Sequence, residues 1–234
     1  GRWATRWSLV NASCVTAASA SMLELASRFG VRALRIPLGA DLEQWQPRAP
    51  RPRSSGETMR LVHVASLNRV KDQPTLLEAL AHLRATGRAA TLDIVGEDTL
   101  RGAVQVLSRR LGLDGAVKFH GFRTQRELVP IVGRAHLNLV SSLHEAGPVA
   151  MLEAAVAGVP TAGTAVGHLL EWQGDAALTV PCRDPVALAE VIAKLFDDDA
   201  RRLLLASRAQ QRALAEDADF TARSFERCYA QLRG

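Results

Sequence analysis

The sequence predicts an α/β chain built on a doubly wound, Rossmann-like parallel sheet, on three observations. From Arg60 onward, short apolar runs alternate with amphipathic segments of helical period. Glycines stand directly behind several of those segments, where a helix would end. Six apolar runs follow one another with a helical segment in almost every gap, the pattern of βα units in a parallel sheet.

Leu61-Val-His-Val-Ala65 reads as the first strand of that sheet, and Thr75 to Leu83 as a helix closed by Gly87. Thr91 to Val95 is a strand, Leu100 to Leu111 a helix with Gly112 after it, and Val117 to His120 a strand. Gln125 to Arg134 is a helix, Leu137 to Val140 a strand, and Pro148 to Ala157 a helix with Gly158 behind it. Pro160 to Thr164 and Leu178 to Val180 complete the strands. Three helical segments follow, starting at Asp184 or Pro185, at Asp199 and at Phe220. On the last, Phe220, Phe225, Cys228, Tyr229 and Leu232 fall roughly on one side and read as a docking stripe.

Residues before about 46 have the texture of a different domain's end: strand Cys14 to Ala17, helix Ser19 to Gly30, strand Ala33 to Pro37. The Pro/Arg/Ser stretch from Pro47 to Gly56 reads as a linker. The expected division is therefore 1–56 as a remnant plus linker, 57–217 as the Rossmann-like domain, and 218–234 as a helix docking back on the amino-terminal segment.

With 234 residues, of which 47% are apolar and 23% charged, the composition is that of an ordinary globular chain. At this length, folding buries about 70% of the unfolded chain's surface, enough for a core without staples. The most apolar stretch, from Val149 to Ala165, is interrupted by Glu153, Gly158, Pro160 and Gly163, which excludes a spanning helix. Net charge is +5, yet 26 of the 29 basic residues are scattered arginines and aromatics are only 5%. That combination lacks stacking platforms for bases, so the charge reads as compositional bias plus affinity for some anion, with no nucleic-acid partner. Cys14, Cys182 and Cys228 are unclustered, which disfavours a disulfide frame or zinc site and suits a reducing cytosol. The chain opens Gly1-Arg2-Trp3, with no initiator Met or signal-peptide core, and is expected to be a cytoplasmic fragment of something longer.

In an open parallel sheet, ligands sit outside the carboxyl ends of the strands, at the switch point of strand order. No Gly-x-Gly-x-x-Gly, Walker loop or Gly-x-Ser-x-Gly elbow is present. The loop Ser66-Leu-Asn-Arg-Val-Lys-Asp72 brings Arg69 and Lys71 to a strand end, as donors for a phosphate or as a solvated basic turn. The sharpest segment is Ser141-Ser-Leu-His-Glu-Ala-Gly-Pro-Val-Ala-Met-Leu-Glu153. Pro148 suits a first helical turn with Gly147 as the cap, leaving Glu145 ahead of the helix and Glu153 inside it. The helix N-terminus suits a phosphate, and one carboxylate on each side could accept from vicinal hydroxyls. A glutamate near a helix start also simply complements the dipole, but one inside an Ala/Val/Leu/Met segment needs a partner. His144 beside Glu145 is a general base or a surface group; His120, His136 and His168 lack metal-ligand spacing.

In order along the chain, Val64-Ala-Ser-Leu-Asn-Arg-Val-Lys71, Leu92-Asp-Ile-Val-Gly96, Phe119-His-Gly121 and Ser142-x-x-Glu145-x7-Glu153-Ala-x-x-x-Gly158-Val-Pro160 resemble the retaining glycosyltransferases of family 4. These have the GT-B fold, and the likeness is to the carboxyl-terminal, nucleotide-sugar-binding domain, covering about 60 to 180. Ala17 to Met22 and Arg35 to Asp41 resemble the end of the family's amino-terminal domain. The resemblance implies that Lys71, with Arg69 and Ser66 nearby, contacts the donor diphosphate, and that Glu153 holds the ribose hydroxyls. It implies that Glu145, with Ser142 close by, orients the donor sugar for transfer. Gly96 would line the nucleotide pocket, Gly121, Phe122 and Arg123 would lie against the base, and the N–H groups of Gly147 and Val149 would face the phosphates. The family uses no metal or cofactor, because basic groups and a helix end neutralise the leaving diphosphate.

Three departures accompany the likeness. Ser66 stands where the family has a basic residue, Gly147-Pro148 replaces an aromatic-Gly pair, and most of the amino-terminal domain is absent. The expected function is donor-half binding of a UDP- or GDP-sugar for transfer to a lipid or glycan acceptor held by the missing domain, with poor turnover alone. The basic surface would then give peripheral contact with an anionic membrane face. Competing classes are a GT-B nucleotide-sugar epimerase and a non-catalytic nucleotide-binding module.

Overall fold

A computed structural model describes residues 2–233. The amino-terminal part carries α1 (Arg2–Val10), β1 (Thr16–Ala17), α2 (Ala20–Ser27) and β2 (Leu34–Arg35), with β1 and β2 paired in parallel. The main body follows as β3 (Met59–Val64), α3 (Gln73–Ala85), β4 (Ala90–Val95), α4 (Ala103–Arg110), β5 (Val117–Phe119), α5 (Gln125–Gly133) and β6 (Leu137–Val140). It continues with α6 (Val149–Val156), β7 (Thr161–Thr164), α7 (Gly167–Glu171), β8 (Ala177–Val180), α8 (Pro185–Asp197), α9 (Asp199–Ala215) and α10 (Ala218–Arg233).

Six strands form one all-parallel sheet in the order β5-β4-β3-β6-β7-β8. The order reverses between β3 and β6, where Leu61 pairs with Leu137 and Val62 with Asn138. Both faces are covered: Leu76, Leu80, Leu188 and Ile192 pack one side, and Met151, Leu152, Val156 and Ala209 the other. Strands enclosed on both faces are mostly apolar, as in Leu137–Val140 and Met59–Val64, and the polar residues buried within them are hydrogen-bonded: His63 to the Leu139 carbonyl and Asn138 to Thr161 Oγ1.

The structure moves some boundaries. The helix expected from Leu100 begins at Ala103, because the Asp98 carboxylate accepts from the N–H groups of Leu100 (2.7 Å) and Gly102 (2.8 Å) and holds a turn there. Pro148 is not in the first turn of α6; at ψ 105° it is the extended residue before it. The α10 stripe is also displaced. Tyr229 and Leu232 are exposed, while Phe220 and Phe225 are half-buried and Cys228, together with Ser224, is buried. The helix is tied down by polar contacts: Ala218 N–H to the Ala40 carbonyl (3.0 Å) and Thr221 Oγ1 to the Pro37 carbonyl (2.8 Å). No helix among the described residues is long and apolar enough to cross a membrane.

Candidate functional site

The β3–β6 switch point opens into a cavity of about 240 Å3. Its walls are His63, Val64 and Ala65 from β3 and the turn after it, Val140 from β6, Lys71, Ser142 and Glu145 from the following loops, and Gly147, Pro148, Val149 and Ala150 at the head of α6. The Lys71 ammonium donates to Glu145 Oε1 inside it, and Ser142 Oγ donates to the same oxygen over 2.7 Å. The two loops are bound to each other as well: Leu143 N–H reaches the Val70 carbonyl (2.8 Å) and Ser141 Oγ the Lys71 carbonyl (2.7 Å). Cation, carboxylate and helix N-terminus therefore stand together in one cavity.

Local chemistry sets the first loop. Asn68 Oδ1 accepts from the N–H groups of Val70 (2.9 Å) and Lys71 (3.1 Å), while its amide donates to Ser66 Oγ (2.8 Å). This side-chain-closed turn points Lys71 inward. Arg69 is exposed and outside the cavity wall. His144 is likewise exposed and absent from the wall.

A groove of about 440 Å3 adjoins the cavity, sharing Val64 and Ala65 with it. Ser66, Gly96, Phe122, Arg123 and Gln125 line it. Gly96 allows the β3 and β4 ends to meet, since a Cβ there would lie 2.0 Å from the Ala65 carbonyl oxygen. Its N–H donates to the Gly121 carbonyl (2.9 Å), which holds the turn before Phe122. Phe122 is 72% exposed, an aromatic face at the groove's edge.

Glu153 lies on α6, almost fully buried, and Gln125 Nε2 donates to its Oε1 (2.8 Å). Glu127 fixes that donor by accepting from Thr124 N–H (3.0 Å) at the start of α5. Burial pushes the Glu153 carboxyl above the ordinary glutamate value, against the pull of Gln125 and of the approaching Trp45 indole. That indole N–H is buried without a full hydrogen bond among the described residues.

Three residues escaped the sequence reading. His63 is buried on β3, donating from Nδ1 to the Leu139 carbonyl (2.9 Å), and burial pushes its pKa down to about 4. It is a neutral imidazole at the cavity floor. Its signal was a histidine within the apolar run from Leu61 to Ala65. Gln125 and Trp45 had none: their role at Glu153 depends on contacts 28 and 108 positions away. Among the described residues no group of three or more His, Cys, Asp or Glu is placed to hold a metal ion.

A parallel sheet in this order, with a charged cavity at its switch point, has the architecture of the Rossmann-like domain of GT-B glycosyltransferases. The family model described as Glycosyl transferases group 1 matches residues 58–198, and the chain belongs to that family. It is 30% identical over 220 residues to a glycogen synthase of Mycobacterium tuberculosis, covering 92% of this chain and 52% of that protein. It is 28% identical over 211 residues to a D-inositol 3-phosphate glycosyltransferase of Corynebacterium urealyticum, covering 83% and 50%. The chain thus spans about half the length of these curated relatives. Among solved structures, a sucrose-phosphate synthase from Thermosynechococcus elongatus superposes with a TM-score of 0.85 at 23% identity, over 99% of this chain and 61% of the other. The Anabaena protein HepE, in complex with UDP and glucose, gives a TM-score of 0.84 at 22% identity, over 98% and 66%.

Proposed function

We propose that this chain is the donor-binding half of a retaining, family 4 type glycosyltransferase that takes a UDP- or GDP-sugar. The observation that carries it is the Lys71–Glu145 pair set against the N-terminus of α6 in the switch-point cavity. A diphosphate there would meet the Lys71 ammonium and the N–H groups of Gly147 and Val149, which together neutralise the charge that develops as the sugar leaves. No metal or cofactor is called on for that step. Glu145 would lie against the donor sugar and orient it. Glu153 would exchange its Gln125 partner for the ribose hydroxyls, and the base would lie between Gly96 and Phe122, with Gly121 and Arg123 beside it. The UDP and UDP-glucose complexes of the Anabaena protein support a uridine donor.

The acceptor, of lipid or glycan type, is held in this reading by residues outside the chain, which alone binds donor and turns over poorly. Contact with an anionic membrane surface is part of the same proposal, and failure to bind anionic vesicles even at low salt would remove it. Calorimetric titration with UDP and with GDP tests the core of it. One nucleotide should bind, and Glu153→Ala should weaken it; equal affinity in the variant, or no binding of either nucleotide, would overturn the site.

A further inference from the structure

The loop that carries Glu145 is gripped from behind by the first two residues of α7. Gly167, at φ 49°, lies so close that a Cβ would sit 3.0 Å from the carbonyl oxygens of Glu145 and Ala146. His168 then fills the space above Gly147: a Cβ on Gly147 would be 2.9 Å from the ring's Cε1 and 3.0 Å from Nδ1. On its other edge, His168 Nε2–H donates to the Ala18 carbonyl (2.6 Å), just after β1 in the amino-terminal part of the chain. One buried ring therefore touches both the loop of the candidate donor site and the amino-terminal segment.

The ring is not explained by packing. Its Nδ1 is buried without a hydrogen-bond partner among the described residues, a cost that an apolar ring of similar size would not carry. What histidine supplies that phenylalanine cannot is the bond to Ala18. A second tie from α7 reinforces the junction, because Glu171 accepts from Ala20 N–H (2.5 Å) at the start of α2.

We propose that His168 is a positioning residue that couples the amino-terminal segment to the donor loop, so that the placement of Ala18 sets that of Gly147 and Val149. This rests on the reading of that loop as the diphosphate site. In a protein with a second, acceptor-bearing body attached through residues 14–20, such a link makes donor affinity depend on how that body is seated.

His168→Ala, His168→Phe and His168→Gln test it, each first checked for cooperative thermal unfolding. Alanine removes ring and bond, phenylalanine restores only bulk, and glutamine restores an N–H that can reach Ala18. Amide hydrogen exchange should accelerate in both segments 14–20 and 143–150 in the Ala and Phe variants. UDP affinity should fall about tenfold in both, the equivalent of one hydrogen bond, and recover to within about threefold in the Gln variant. Acceleration in one segment only, or a Phe variant that matches the wild type in both readouts, would overturn the coupling. If the wild type binds UDP and Lys71→Ala does not, while all three His168 variants bind normally, the coupling is wrong and the site assignment stands. If the wild type binds no nucleotide, the donor reading is wrong, and exchange alone still decides whether the two segments move together.

Discussion

Replacing Lys71 with alanine should do two measurable things at once. The Lys71 and Glu145 side chains are 24% and 13% exposed, so their mutual attraction is only partly screened. Two unit charges 4 Å apart interact by about 4 kcal/mol at an effective dielectric of 20, before the cost of desolvation is subtracted. Removing one partner of a fully buried pair costs about 3–5 kcal/mol. Here Ser142 continues to donate to Glu145 and water reaches both groups, so the loss of stability should be nearer ~1–2 kcal/mol. The effect on binding should be larger in proportion. A charge-assisted contact to phosphate is worth about 1.5–3 kcal/mol, so UDP should bind roughly 10- to 150-fold more weakly. Glu145→Gln should act in the opposite sense: it keeps an oxygen for Ser142 but frees the ammonium, and UDP should bind as well or up to about tenfold tighter. Titration calorimetry gives the affinities, and urea unfolding followed on the four tryptophans gives the stabilities. A Lys71→Ala variant within about twofold of wild type, or a Glu145→Gln variant weakened as much as Lys71→Ala, would refute the assignment of Lys71 to the diphosphate.

Glu153 has its carboxyl raised above the ordinary value of 4.5 by burial, so the folded state holds that proton longer than the unfolded chain does. Its contribution is full below that ordinary value and is lost as pH rises through the raised one. Glu153→Gln should therefore gain stability relative to wild type as pH increases from about 4.5 toward neutrality; a difference independent of pH would contradict the cause given. His63 and His136 are both pushed down to about 4 from 6.5, mainly by burial, so the unfolded chain binds protons that the folded one refuses. Stability should fall as pH drops from 6.5 toward 4, and His63→Gln should make the fall between 6.5 and 5 visibly shallower in urea midpoints. Gly96→Ala would drive a methyl into the Ala65 carbonyl and should cost about 3 kcal/mol or more; a loss under about 1 kcal/mol would mean that β3 and β4 separate easily.

The sheet was legible because strands buried on both faces are mostly apolar and most of the intervening helices are amphipathic, a pattern that holds from Met59 to Val180 despite Arg60, His63, Asp93 and Asn138 in the strands and an α6 buried from Met151 to Val156. What was lost had local causes. The five residues of α7 are too few to display a helical period. Pro148 reads equally well as a first helical residue or as the one before it, and only its ψ decides. Lys71 and Glu145 were each visible at a strand end, but their contact across 74 positions follows from β3 lying beside β6. Arg69 was drawn toward the site by sequence proximity; it is exposed and outside the cavity wall. His63 vanished inside an apolar run, and Trp45 reaches Glu153 from a segment that reads as belonging elsewhere. Candidate residues that stand at the ends of strands could be read from the sequence, whereas the contacts that long-range packing makes between them could not.

The structure of the chain crystallised with UDP tests the central claim most directly. The diphosphate is expected against the N–H groups of Gly147 and Val149 within hydrogen-bond reach of Lys71, the ribose at Glu153, and the uracil between Gly96 and Phe122. A nucleotide bound at another face, or a diphosphate that leaves the Lys71–Glu145 pair closed and untouched, would contradict it.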